Sequence, residues 1–124
     1  MFDEFTKYRV LQPFFEKPTT RHQLREVSRE IEISPPTVRD YVNELVMEDF
    51  LEKVELGTYP GYKASMNDKF KLYKKQDTVR KLYETGLVEE LEEKFHPNSI
   101  VLFGSAARGE DTEESDIDIM VMAE

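Results

Sequence analysis

The chain reads SIVLFGSAARGEDTEESDIDI over residues 99–119. A mostly apolar run, typical of a buried strand, ends at Gly104. Ten residues then separate Ser105 from an Asp-x-Asp that opens a second apolar run. Gly104 permits a tight backbone turn and the close approach of a ligand. The residues from Ser105 to Arg108 are predicted to form the first turn of a helix, whose free N–H groups suit an anion.

Two carboxylates lie two residues apart in the second apolar run, at Asp116 and Asp118. Successive side chains of a strand point to opposite faces, so both carboxylates are predicted on one face, with Ile117 and Ile119 on the other. Mg²⁺ binds a few carboxylates together with phosphate oxygens. The pattern therefore predicts a site for a nucleotide's phosphates beside a divalent metal. The alternative is a surface turn with two solvated aspartates.

This pattern resembles the nucleotidyltransferase superfamily related to DNA polymerase beta, over roughly residues 97–124. It is most similar to the minimal nucleotidyltransferases, whose signature is Gly-Ser, a gap of about ten residues and Asp-x-Asp. The chain also carries the Ala-Arg-Gly-Glu of that family at residues 107–110. The resemblance implies that Gly104 and Ser105 hold the triphosphate and that Arg108 supports the loop or a phosphate. It also implies that the catalytic Asp116 and Asp118 ligate Mg²⁺.

The resemblance further implies a third carboxylate on a later strand, which completes the metal site and can act as the base on the acceptor hydroxyl. Glu124 is too close to Asp118 to be that residue. The sequence therefore predicts half of an active site, and catalysis by this chain alone is in doubt. A shortened chain, a natural remnant and a chain that borrows the rest from a partner are all compatible with it.

Composition limits the classes of function. The 124 residues suffice for one ordinary domain or two very small ones. A net charge of −9 argues against broad, nonspecific binding to nucleic acids or membrane surfaces. Cysteine is absent, which excludes a disulfide framework and a thiolate metal site. Neither a signal peptide nor a membrane-spanning run is evident, so a cytoplasmic protein with no membrane partner is expected.

Three helices are predicted in the N-terminal half. Pro13 should bend or shorten the first helix. Thr20 can cap the second, and Ser34 can cap the third, with Pro35 in the favoured first position. Apolar residues at helical spacing mark the three inner faces: Tyr8, Leu11 and Phe15; Leu24, Val27 and Ile31; Val38, Tyr41, Val42 and Leu45.

A hairpin is predicted after these helices. Residues 50–55 and 62–66 are strand-like and flank a turn at residues 57–61 that contains two glycines and a proline. Two helices joined by a tight turn resemble a helix-turn-helix. Three helices followed by a hairpin resemble the winged helix-turn-helix family of transcriptional regulators, over about residues 5–66.

The resemblance to winged helices implies that the third helix enters the major groove of DNA. Arg39 would suit a guanine edge or a phosphate, and Asn43 an adenine edge. Arg21, Arg25 and Arg29 recur every four residues and predict a phosphate-facing stripe. A homodimer that reads a two-fold operator is expected. The complete set of predicted DNA contacts is Ser34, Thr37, Arg39, Asn43, Tyr62 and Lys63.

The net negative charge of residues 1–67 argues against DNA binding. Residues 1–67 contain nine Lys and Arg against twelve Asp and Glu. Affinity for DNA comes largely from neutralising phosphates, so the cations would have to be segregated on one face. The alternative is a winged helix used for dimerisation or protein contacts.

The segment between the halves is predicted to be helical and is the most basic part of the chain. A solvated helix face is favoured over a nucleic-acid contact. The acidic run at residues 110–114 is likewise predicted to be a solvated loop.

These observations predict an α+β chain with three parts: a winged helix-turn-helix at residues 1–67, a helical linker at 68–96 and a partial nucleotidyltransferase-like domain at 97–124. The first hypothesis is a DNA-binding transcriptional regulator whose second module binds a nucleotide and Mg²⁺. The alternative is an enzyme that moves NMP from NTP to an acceptor, including a partner protein in a toxin–antitoxin pair. The third hypothesis is an interaction scaffold that has lost both activities.

Overall fold

The computed structural model describes residues 2–123 and confirms the α+β class. The chain divides into two compact units, and the boundary falls between Phe70 and Lys71. None of the helices in the described range is long and apolar enough to cross a membrane. The helices are α1 Glu4–Glu16, α2 Leu24–Ile31, α3 Pro35–Met47, α4 Asp68–Glu84 and α5 Leu87–Phe95; the strands are β1 Leu51–Val54, β2 Gly61–Ala64, β3 Ser99–Phe103 and β4 Asp118–Met122.

The first unit packs α1, α2 and α3 against an antiparallel hairpin of β1 and β2. In this hairpin Leu51 pairs with Ala64 and Val54 pairs with Gly61, so the second strand begins one residue earlier than predicted and ends at residue 64, before the predicted residue 66. Apolar side chains from all three helices and the hairpin form one core, because each element buries a single face. Its largest fully buried members are Phe14, Phe50, Phe70, Leu11, Leu45, Val10, Val27, Val38 and Val42.

Helix α1 continues through Pro13 to Glu16, so the proline lies in its last turn. Asp3 caps the beginning of the helix, where its carboxylate accepts a hydrogen bond of 2.9 Å from the backbone N–H of Thr6. This bond holds the pKa of Asp3 below its ordinary value.

The predicted cap of the second helix is wrong, whereas that of the third is in the right place. Helix α2 begins at Leu24 with Gln23 as its N-cap, three residues after Thr20. The preceding segment is extended, because His22 exchanges two backbone hydrogen bonds of 2.7 Å with Tyr62 of β2. Helix α3 has Ser34 at its N-cap position and a proline in its first position, as predicted, but the Ser34 hydroxyl donates to Oγ1 of Thr37 at 2.9 Å and makes no capping hydrogen bond.

The predicted stripe of three arginines is also corrected. Arg21 precedes α2, and its guanidinium donates hydrogen bonds to the backbone carbonyls of Val54, Leu56 and Tyr59. The hairpin accommodates this side chain only because residue 61 is glycine, since a Cβ there would overlap the arginine. Arg21 therefore fastens the hairpin loop within the first unit instead of facing outward.

The second unit contains α4 from Lys71 onward, α5 and an antiparallel sheet of β3 and β4. Exposed and half-buried residues alternate along both strands, so the prediction of a buried strand at residues 99–103 is wrong. One face of the sheet carries Ile100, Leu102 and Ile119, which line an apolar cavity of about 560 Å³ with residues of α4 and α5. The opposite face exposes four large apolar side chains, at Val101, Phe103, Met120 and Met122.

Candidate nucleotide-binding site

The end of β3 meets the beginning of β4 at the predicted phosphate site. Phe103 pairs with Asp118 across the sheet, and Gly104 follows with a φ of +74°. A Cβ on Gly104 would lie 2.6 Å from Oδ2 of Asp118. The carboxylate therefore rests against the bare Cα of the glycine, and any larger residue at position 104 would displace it.

The segment after Gly104 folds back on itself. The carbonyl of Ser105 accepts hydrogen bonds from the N–H groups of Arg108, at 3.1 Å, and of Glu110, at 2.9 Å. Residues Ala106–Arg108 form a single 3₁₀ turn, which Gly109 ends with a φ of +69°. The predicted start of an α-helix is therefore wrong, because the left-handed glycine reverses the chain before a helix can continue. We call residues 104–110 the phosphate loop, after the prediction that Gly104 and Ser105 hold a triphosphate.

The two predicted metal ligands do not share a strand. Strand β4 begins at Asp118, so Asp116 lies outside the sheet, although both side chains are exposed. The ladder stops because Gly104 turns the partner strand away after Phe103. A tight turn precedes Asp116, in which the N–H of Ser115 donates to the carbonyl of Thr112 at 3.0 Å.

Arg108 lies on the outside of the phosphate loop, with 62% of its side chain exposed. Its Nε donates a hydrogen bond of 2.6 Å to Glu110, whose second oxygen accepts one of 3.2 Å from Nζ of Lys71. These hydrogen bonds, first that from Arg108 and then that from Lys71, hold the pKa of Glu110 below its ordinary value. Glu110 is thus part of a three-residue charge network and not a solvated member of an acidic run.

Asp111, the residue after Glu110, also differs from the prediction of a solvated loop at residues 110–114. Asp111 is buried and accepts a hydrogen bond of 2.9 Å from Nζ of Lys74 on α4. Lys74 and Asp77 are also buried, so this face of α4 is not the solvated basic surface that its composition predicted. Sequence reasoning missed these residues because it weighed charge alone; their spacing from the buried Phe70, at four and seven positions, is the helical signal that could have revealed them.

The side chains at the site are of the type that binds Mg²⁺. Carboxylate oxygens, as in Asp116 and Asp118, are the ligands that Mg²⁺ takes from proteins. Within residues 2–123, no cluster of three or more His, Asp or Glu side chains is gathered closely enough to hold a metal ion.

The predicted DNA contacts occupy different environments in the first unit. Arg39 and Asn43 are exposed on α3, as is Ser34 at its N-cap, and Thr37 is half-buried. Lys63 is half-buried on β2 and lies 3.9 Å from Glu52. Tyr62 is 4% exposed because β2 pairs on both of its edges at this residue, with His22 and Lys53. The prediction of Tyr62 as a DNA contact is therefore wrong.

The part of the chain that contains this loop and strand pair is similar in sequence to known proteins. Residues 85–124 match the family of the nucleotidyltransferase domain. Over 31 residues the chain is 71% identical to a protein of Methanocaldococcus jannaschii named "Putative protein adenylyltransferase". The aligned stretch is 25% of this chain and 31% of that relative, so the chain spans about a third of the relative's length. The second unit thus carries a nucleotidyltransferase-like segment.

Proposed function

We propose that the second unit binds a nucleoside triphosphate for nucleotidyl transfer. The observation that carries this proposal is the contact between the carboxylate of Asp118 and the bare Cα of Gly104, within the segment that matches the nucleotidyltransferase domain. The match also favours this function over the regulatory hypothesis that the sequence placed first.

Each residue that was predicted for the nucleotide and metal site has a role in this proposal. Gly104 and Ser105 receive the triphosphate, and Arg108 offsets its charge from the exposed side of the phosphate loop. Asp116 and Asp118 hold Mg²⁺, which neutralises phosphate charge when bound. The hydroxyl oxygen of the acceptor forms a bond to the α-phosphorus, the bond to the β-phosphate oxygen breaks and pyrophosphate leaves. The hydroxyl proton passes to a carboxylate base, which the resemblance places on a strand later than β4.

The proposed acceptor is a protein hydroxyl and the proposed donor is ATP. The name of the relative supports ATP and a protein, since an adenylyltransferase moves the AMP group of ATP and the name specifies a protein acceptor. A toxin partner of the kind that minimal nucleotidyltransferases modify is the class of acceptor to test.

A titration of the full chain with ATP, with and without Mg²⁺, tests the proposal. Asp116→Asn with Asp118→Asn should abolish the Mg²⁺-dependent part of binding. The expected loss exceeds the roughly 10- to 100-fold effect of removing only a partner of a metal ligand. Glu113→Gln with Glu114→Gln is the matched control, because it removes two negative charges from the same exposed loop. Equal binding by the aspartate variant and the wild type would refute the proposal.

DNA binding by the first unit is a second candidate function, proposed for a homodimer in the cytoplasm. It is favoured by one observation: Arg39 and Asn43 are four residues apart on α3, and both are exposed. Helix positions four residues apart lie on the same face, so both side chains would reach one groove.

Arg39→Ala should weaken specific binding to the DNA upstream of the protein's own gene by about 1–3 kcal/mol if Arg39 contacts a base edge. A mobility shift over a range of salt concentrations measures this effect. Lys17→Ala removes an equally exposed cation from the end of α1 and is expected to change binding little. An Arg39→Ala variant with unchanged affinity would exclude α3 as the recognition helix.

A further inference from the structure

A buried ion pair joins the phosphate loop region to α4 within the second unit. Nζ of Lys74 lies 2.9 Å from Oδ2 of Asp111, and the two side chains are 5% and 11% exposed. Oδ1 of Asp111 is buried and has no hydrogen-bond partner among the described residues. The carboxylate is therefore held at one oxygen by a single cation.

Two further contacts fasten the same segment to the same turn of α4. A Cβ on Gly109 would lie 2.7 Å from the carbonyl carbon of Lys71, so the loop backbone packs directly on the helix backbone. Nζ of Lys71 also binds Glu110 at 3.2 Å, although that pair is partly exposed. Three consecutive residues, Gly109 to Asp111, are thus held by one turn of α4, from Lys71 to Lys74.

The anchored residues are coupled to the predicted triphosphate contact by the backbone. Glu110, which precedes Asp111, donates its N–H to the carbonyl of Ser105 at 2.9 Å. Ser105 follows Gly104, against which the Asp118 carboxylate rests. A shift of Asp111 would consequently be transmitted to the residues that receive the phosphates.

Stability alone does not account for this pair. Removing two charges from water costs several kcal/mol, and apolar residues of similar volume are often as stable as a buried ion pair. An ion pair does, however, specify which atoms meet, whereas apolar side chains can slide past one another. Buried charged pairs are thus suited to fixing a register.

We infer that Lys74 and Asp111 are positioning residues that hold the phosphate loop in the geometry that receives the triphosphate of ATP. This inference rests on the proposed function. It assigns no contact with the nucleotide to either residue, because both are buried in the ion pair.

The test compares Asp111→Asn and the double variant Lys74→Met/Asp111→Leu with the wild type, using the full chain. Asp111→Asn keeps the shape of the side chain, and the double variant replaces the pair by apolar groups. Asp111→Asn leaves Lys74 buried without a counter-charge, which is strongly destabilising, so the double variant is the one expected to remain as stable as the wild type. Both variants are expected to bind MgATP roughly 10- to 100-fold more weakly, as a displacement of about 1 Å can cost up to ~100-fold. Lys75→Met, an exposed lysine of the same helix, is the matched control and should bind like the wild type.

Amide hydrogen exchange without nucleotide separates positioning from a general loss of stability. In both variants the amides of residues 105–110 should exchange faster, while those of β3 and β4 keep their protection. Folded variants that bind MgATP as tightly as the wild type would overturn the inference and leave the proposed function intact. A wild-type chain that binds no MgATP would overturn the proposed function and this inference with it.

Discussion

Gly104→Ala should weaken MgATP binding by about 100-fold, since a small misplacement of a binding group can cost this much. The residue has a φ of +74°, a conformation that costs about 1–2 kcal/mol for a residue with a Cβ. The added methyl group would also lie 2.6 Å from Oδ2 of Asp118, so the carboxylate at the end of this exposed side chain has to shift from its present position. Titration calorimetry with ATP and Mg²⁺ measures the change.

Gly86→Ala is the matched control for this prediction. Gly86 belongs to the same unit and has a φ of +83°, but no atom outside its neighbours lies within 4 Å of the added Cβ. It therefore carries a similar backbone strain without a clash. If the two alanine variants bound MgATP equally well, the contact between Gly104 and Asp118 would have no part in nucleotide binding.

Phe14→Ala should lower the free energy of unfolding of the first unit by about 3–5 kcal/mol. The ring is fully buried, and it packs edge-on against the imidazole of His22, with ring centroids 4.7 Å apart. Its removal leaves a cavity between α1 and the segment that pairs with β2. Because small domains are stable by only about 5–15 kcal/mol, the loss should be evident in urea unfolding followed by circular dichroism.

Phe5→Ala provides the comparison within the same helix. That ring is 74% exposed, so its removal should change the free energy of unfolding by no more than about 0.5 kcal/mol. A Phe14→Ala variant as stable as Phe5→Ala would mean that α1 does not pack as the structure describes.

Local patterns predicted much of the fold. The apolar spacing of Leu24 and Val27 identified α2, and the glycine-rich turn before Tyr62 identified the hairpin. The proline at position 35 placed the beginning of α3, because its fixed φ suits the first position of a helix. Each of these features depends on residues that are close in sequence.

The misplaced features depend on residues that are far apart in sequence. Pairing with β2 extends His22 and thereby moves the start of α2. The ion pair of Lys74 and Asp111 spans 37 positions. Asp116 was predicted on a strand because the Asp-x-Asp alternates correctly, but whether a strand forms depends on the partner strand, which ends at Phe103.

At the candidate site, too, the sequence predicted local features and missed contacts between residues far apart in the chain. The spacing of Gly104, Ser105 and the two aspartates predicted which residues would be candidates, and the structure brings Gly104 and Asp118 into contact. It did not predict the anchoring of the phosphate loop on α4, since the helical spacing of Lys74 from Phe70 indicates burial but does not identify Asp111, 37 positions away, as its partner.

The exposed apolar face of the β3–β4 sheet has a consequence for the colloidal behaviour of the protein. Four large apolar side chains in contact with water favour self-association, and a two-stranded ribbon has open edges that pair readily. The net charge of −9 opposes this through mutual repulsion between molecules. Acidification neutralises carboxylates and added salt screens the remaining charge, so neutral pH and low ionic strength are the conditions under which this chain stays dispersed.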